Sequence, residues 1–338
     1  RAASMAMGLR SVAALVLLTC ASCGSHCSQR TLRRGLDGEL SGKHGHMIRH
    51  AGQDSVLDVV YVRHGHACHN ALKYQGASGW RWIQAKVQSR NVPDAPLTDC
   101  GKRLSKENGP QLMQALLDKL GRAWDPQFVG TSFMLRAIET GLYMFPDTER
   151  VYPLPYINEI GETPASIPEQ GTALRTLHNE SADKVDWTFA EMYEAQRAHS
   201  DYDRFLAFLH NISENVRGQH APDDPYRVVI VTHSGFLTAM LKKEFGVHRK
   251  LNNNDAVRMR YRVRKNKLEA TREEGDGEKI LGPQLERWTA KYLCCNDYKR
   301  CMAHRADSMG PAEDTQDGRA SLLIEGPKPQ QPCCTSAP

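Results

Sequence analysis

Two histidines, two arginines and a pair of glutamates stand where they could do chemistry together. Val59-Val60-Tyr61-Val62 runs into Arg63-His64-Gly65-His66, and Val228-Val229-Ile230-Val231-Thr232 runs into His233-Ser234-Gly235. Each is an apolar, β-rich run of strand length that ends abruptly in an imidazole. The second is continuous enough to read as a strand buried on both faces of a parallel sheet. A third run, Phe128-Val129-Gly130-Thr131, leads through Ser132 to Arg136. A loop further on offers Glu159 and Glu162. In α/β sheets the carboxyl ends of the strands carry the functional loops, so a mainly parallel sheet would bring Arg63, His64, Arg136 and His233 to one edge. Guanidinium forks suit the oxygens of a tetrahedral dianion. A neutral imidazole has a free lone pair at neutral pH. No cluster of carboxylates suggests a magnesium site, so neither a metal nor a cofactor is expected.

The elements that must position these groups can be taken in order. Val56 opens the fold. The stretch 71–92, with Trp80 and Trp82, reads as a short helix and loop over the mouth of the site. Pro96-Leu97-Thr98-Asp99 is a turn into a helix over 102–120, with Leu112, Leu116 and Leu120 along one face and Gly121 at its end. Ser132 stands at the N-cap position of a helix over 134–145, which puts Arg136 in its first turn. Residues 151–155 are extended, 163–200 form an irregular, partly helical insert, and a helix over 202–216 stacks Phe205, Phe208, Leu209 and Ile212. The helix expected over 236–245 would aim its amino-terminal amides at whatever sits beside His233, an arrangement that favours an anion. Val257, Met259, Tyr261 and Val263 alternate with Arg258, Arg260, Arg262 and Arg264. This pattern reads as an edge strand whose outer face is guarded by charge. The fold class expected is α/β: a three-layer α/β/α sandwich on a mainly parallel sheet with an antiparallel edge strand.

Composition is that of an ordinary globular chain with enough apolar content for a sizeable core. The 338 residues are 40% hydrophobic and 25% charged, and 44 Lys and Arg against 39 Asp and Glu leave a formal net charge of +5. That modest, interspersed charge does not suggest a nucleic-acid binder; it supports a mild attraction for anionic substrates. Residues 1–23 resemble a secretory signal: Arg10 precedes the apolar run 12–18, small residues follow at Ala21 and Ser22, and no acid appears before Asp37. The run is shorter than the roughly 20 residues of a membrane span, so no stable membrane span is expected. The expected address is the secretory pathway or the extracellular space; an organelle or the cytoplasm is the alternative, because 28–34 is basic and hydroxylated. Residues 24–54 read as a linker, 55–304 as the catalytic domain and 305–338 as a disordered tail. Of ten cysteines, Cys68 and Cys100 lie in the body, and Cys294, Cys295, Cys301, Cys333 and Cys334 read as surface thiols, free or, if the compartment oxidises, joined in disulfides among themselves.

Several of these motifs, in this order, resemble the histidine phosphatase superfamily, the phosphoglycerate mutase-like fold. They are Arg63-His64-Gly65 with Asn70, Pro96-Leu97-Thr98 with Gly101, Ser132 with Arg136, a carboxylate at Glu159, and Thr232-His233-Ser234-Gly235. The resemblance spans about 56–263. It implies that His64 attacks phosphorus and becomes phosphohistidine, that Arg63, Arg136 and His233 bind the phosphoryl oxygens with Asn70 assisting, and that Glu159 protonates the leaving oxygen. Glu162 is the competing acid. The function implied is a metal-independent phosphomonoesterase acting on a small phosphorylated substrate. A phosphoglycerate mutase-type transferase and a non-catalytic phospho-ligand-binding scaffold are the alternatives. Mutases of this superfamily carry Glu-Ser after Arg-His-Gly and an Arg after the acid; this chain has His66-Ala67 and Ile160, which disfavours the mutase.

Overall fold

In the computed structural model, the described residues are 56–73, 79–168, 183–193, 200–216, 225–264, 267–272, 276–280 and 301. The leader, linker and tail read from sequence, and the side chains of Trp80 and Trp82, lie outside them. Six strands form one sheet in the order β3-β2-β4-β1-β5-β6. They are β1 (Val56–Arg63), β2 (Phe128–Thr131), β3 (Val151–Pro153), β4 (Tyr226–Thr232), β5 (Ala256–Arg264) and β6 (Lys267–Ala270). β1 pairs with β4, β4 with β2 and β2 with β3 in parallel, whereas β5 and β6 run antiparallel. β1, β2 and β4 therefore end at the same edge, as expected of a mainly parallel α/β sheet.

The helices are α1 (Cys68–Lys73), α2 (Gly79–Arg90), α3 (Asp99–Leu120), α4 (Leu135–Met144), α5 (Thr188–Met192), α6 (Tyr202–Val216) and α7 (Ser234–Phe245), with a 3-10 turn at Pro164–Ser166. Because successive strand residues face opposite sides, β1 divides its apolar residues between two layers. Leu57, Val59 and Tyr61 pack with Phe205, Phe208 and Leu209 of α6 and Phe236, Leu237 and Met240 of α7. Val60 and Val62 pack with Leu112 and Leu116 of α3 and with Ala137 and Met144 of α4. This is the three-layer sandwich, and it explains why β1 and β4 are apolar without alternation.

Local signals set the helix ends. The Thr98 hydroxyl accepts from the Gly101 N–H and caps α3, and Gly121, in the left-handed region at φ 65°, closes it by donating to the Leu117 carbonyl. Gly101 is required for a second reason: a Cβ there would lie 2.0 Å from the carbonyl oxygen of His66. The start of α3 is thus pressed against the loop that follows His64.

Three expectations are corrected. The cap residue of α4 is Met134, not Ser132; the Ser132 hydroxyl is turned to His233 and accepts from the Met134 N–H at 3.2 Å. β5 is not the edge strand, since β6 lies outside it. Its arginines are paired rather than guarding: buried Arg258 grips Asp58 through Nε and a terminal nitrogen at 2.7 Å each, and Asp58 also accepts from the Trp124 indole at 3.0 Å. Arg260 meets Asp276, and Arg264 meets Glu269. Finally, the disulfide is Cys68–Cys301, between the body and the distal cluster; the pairing expected among the last five cysteines fails for Cys301 because its partner, at the start of α1, is buried beside it.

Candidate active site

The carboxyl ends of β1, β4 and β2 bring His64, His233 and Arg136 together as the sequence suggested. His64 follows β1 directly and is fully buried. Its Nδ1 lies 2.7 Å from the Gly65 carbonyl oxygen. A carbonyl can only accept, so Nδ1 is the protonated nitrogen and the neutral ring keeps its lone pair on Nε2. That Nε2 is buried without a hydrogen-bond partner in the structure. Burial, then the nearby charge of Arg136, His233 and Arg63, holds the His64 pKa well below the ordinary 6.5. The ring is therefore neutral at neutral pH, with a bare nitrogen aimed into the site.

His233 precedes α7 as its cap residue. Its ring lies 5.0 Å from that of His64, centroid to centroid. The Ser132 hydroxyl lies 2.6 Å from its Nε2, while Nδ1 has no hydrogen bond and faces a carboxylate oxygen of Glu159 at 3.6 Å. Burial, followed by Arg136, His69 and Arg63, keeps this histidine neutral too. When Ser132 gives its hydroxyl hydrogen to Nε2, the ring's own proton sits on Nδ1 and faces the same space as His64 Nε2.

Arg136, the second residue of α4, is 1% exposed, and its Nε and one terminal nitrogen have no partner. A buried guanidinium costs free energy unless an anion meets it. Glu159 and Asp94 favour its charge, while burial pulls its pKa down from the ordinary value. Asp94 also accepts from the Leu135 N–H at 2.9 Å and so fixes the first turn that carries Arg136. Arg63 is buried at the end of β1 and donates to the Leu251 carbonyl oxygen at 2.6 Å.

Of the two candidate acids, Glu159 lies beside His233 and His64, whereas Glu162 is exposed. The Glu159 carboxylate accepts weakly from the Gly235 N–H at 3.3 Å. Asn70 lies buried on the loop after His64; its Oδ1 accepts from the Ala67 N–H at 3.1 Å, and its amide nitrogen points at His69 Nε2 at 3.0 Å. In this structure it shapes the loop after His64.

Sequence reasoning missed the residues that lock that loop. The Asn253 side-chain amide donates to the carbonyls of His64 at 2.9 Å and Gly65 at 3.0 Å, and lies 3.3 Å from Asn70 Oδ1. Thr140 of α4 accepts from the Gly65 N–H at 2.8 Å. Asn252-Asn253-Asn254-Asp255 carried a turn signal, and Asn254 indeed has φ 61°. Nothing local linked that turn to a histidine 189 residues earlier.

Among the described residues, His64, Glu159 and His233 offer ligand atoms within 4.8 Å of one another, close enough to suggest a cation site. Arg136 stands in the same space with unpaired donors. Two neutral imidazoles and a buried unmatched guanidinium fit an anion better than a dication.

No protein-family model matches the chain, and no curated protein matches it. Solved structures that the chain matches in a structural comparison include a phosphoglycerate mutase from Bacillus anthracis, at 18% identity and TM-score 0.37 over 66% of this chain and 95% of that one. The ecdysone phosphate phosphatase from Bombix mori is 14% identical at TM-score 0.39, over 68% and 95% of the two chains. A phosphoserine phosphatase from Entamoeba histolytica is 16% identical at TM-score 0.34, over 64% and 95%.

Proposed function

We propose that the chain is a phosphomonoesterase of the histidine phosphatase superfamily. The observation that carries this reading is the bare, buried Nε2 of a neutral His64 facing a buried guanidinium with unpaired donors. In the first step, His64 Nε2 attacks phosphorus as the ester P–O bond breaks. Glu159, as a carboxylic acid, gives its proton to the departing oxygen. Arg136, Arg63 and His233 offset the charge on the three remaining phosphoryl oxygens. In the second step, Glu159 takes a proton from water, the water oxygen attacks phosphorus, and the P–N bond breaks to release inorganic phosphate and restore His64. No step needs a metal, since the protein's own cations supply the charge. A binding scaffold gains no support from the site, since it has no use for a bare nucleophile beside an acid; against a mutase stand His66-Ala67 after Arg63-His64-Gly65 and Ile160 after Glu159.

The test is an acid-sensitive phosphoenzyme trap on wild type and His64→Ala, beside hydrolysis of an aryl phosphate with EDTA present. Label on wild type, none on the variant and full activity in EDTA are expected. Full activity in His64→Ala, or its complete loss in EDTA, would sink the mechanism. Glu159→Gln should slow alkyl phosphates more than aryl phosphates, because a good leaving group needs less protonation; equal losses would reject Glu159 as the acid.

For localisation we keep the secretory reading. The Cys68–Cys301 pairing supports it, because disulfides persist in oxidising compartments. Thiol alkylation in denaturant, without reductant, of the chain taken from cells should leave Cys68 unmodified; labelling of Cys68 would reject the address.

A further inference from the structure

The polar site has an apolar doorstep. The loop that carries Glu159 also carries Ile160, 55% exposed, and Ile167, 48% exposed. Its Pro164–Ser166 turn packs against α2, on which Ile83 and Val87, four residues apart and so on one helix face, are exposed too. Single exposed apolar residues are ordinary. Ile160 is a different matter, since it follows Glu159 directly in the chain and is exposed beside it.

Ile160 ties that surface to the reaction. A Cβ built on Gly235, in the first turn of α7, would lie 2.8 Å from Glu159 Oε1, 3.3 Å from Ile160 Cβ and 3.4 Å from Ile160 Cγ1. The carboxylate and the isoleucine therefore stand side by side over a helix turn that has no side chain of its own. If Glu159 protonates the leaving oxygen, the carbon bonded to that oxygen sits next to Ile160. A glycerol, a sugar or an acid at that place would set hydroxyls or charge against a hydrocarbon surface and lose hydration without compensation. An alkyl or ring carbon would instead cover Ile160.

We propose that the substrates are phosphomonoesters of apolar alcohols, hydrocarbon chains or hydrophobic rings, whose first carbons rest on Ile160. This rests on the phosphomonoesterase reading above.

The experiment measures kcat/KM for n-alkyl phosphates from ethyl to octyl, with glycerol 1-phosphate as the polar reference. The alcohols differ little in acidity, so the series isolates contact from leaving-group chemistry. Wild type should gain roughly two- to fourfold per methylene over the first few carbons, from the partial to full burial of each CH₂. Ile160→Asn should flatten that slope chiefly through KM, while Ile160→Leu should keep it. A flat slope, a preference for glycerol 1-phosphate, or an unchanged slope in Ile160→Asn overturns the proposal while leaving an enzyme that hydrolyses ethyl phosphate through phosphohistidine. If no ester is turned over and no phosphoenzyme forms, the phosphatase reading falls and takes this one with it.

Discussion

The two histidine-bearing strand ends look alike in sequence and are built differently. After β1, the loop at 64–70 locks its histidine from behind: Nδ1–H is tied to the Gly65 carbonyl, that carbonyl is held by Asn253, and the Gly65 N–H is held by Thr140. The nitrogen left over, Nε2, is bare. After β4, the histidine is held through its Nε2 by Ser132, and it turns Nδ1 toward Glu159. Both rings are neutral by burial. The difference lies in which nitrogen the scaffold occupies, and in the proposed reaction it separates the nucleophile from a group that positions oxygens. A backbone carbonyl can fix a tautomer because it never donates, whereas a serine hydroxyl can give or accept.

The largest expected effect would break this comparison outright. His64→Ala should lower kcat by about 10⁴-fold or more and abolish the phosphoenzyme. His233→Ala should lose about 10²–10³-fold, the scale of one transition-state donor, and should still accumulate label on His64. Label appearing on His233 in the His64 variant would mean that the two rings are interchangeable.

Arg136→Leu sharpens the contrast between function and stability. It should weaken inhibition by inorganic phosphate about 100-fold, yet leave Tm unchanged or raise it by about 2–4 °C, because it removes a buried guanidinium whose Nε and one terminal nitrogen have no hydrogen-bond partner in the free protein. A fall of several degrees on thermal unfolding would make the guanidinium a structural group.

A smaller effect separates the two clamps. Asn253→Ala removes hydrogen bonds each worth about 1 kcal/mol, so it should slow phosphoenzyme formation about tenfold in stopped-flow measurements with little change in phosphate affinity. Ser132→Ala should do the reverse, acting mainly on KM. Equal effects of the two on both readouts would erase the distinction.

The smallest effect concerns pH. The folded-state pKa of His64 lies well below 6.5, so kcat/KM should show no His64 titration as pH falls through 6.5; an acid limb centred there that His64 accounts for would contradict the neutral nucleophile. Stability behaves differently. His64, His66 and His233 all have lowered folded-state values, His66 down to about 4. Their contribution is fully present above the unfolded value of 6.5 and is lost as pH falls through the folded values. Thermal unfolding followed from pH 7 to pH 4 should show Tm declining across that window.

Much of this site was legible in the chain because each reactive residue sits on a local signal. His64 and His233 end apolar strands, Arg136 opens a helix, and the order of motifs resembles one superfamily. Other features were hidden for a physical reason. The β5 arginines alternate in the way a guarded edge would, and only the sheet order revealed a further strand outside them and Asp58 beneath Arg258. Ser132 occupies a capping position by sequence, but a ring brought from 101 residues away claims its hydroxyl.

The sequence by itself determined strands β1 to β5, the helix that carries Arg136 and the two imidazoles at one sheet edge, because hydrophobic period and turn chemistry act within a few residues. Tertiary structure alone decided that His64 presents Nε2, that Glu159 rather than Glu162 faces it, that Cys68 pairs with Cys301, and that Asn253 holds the loop. Tautomers, orphaned donors and clamps are set by contacts between groups far apart in the chain. Only the folded packing brings those groups within hydrogen-bonding distance and removes the water that would otherwise satisfy them.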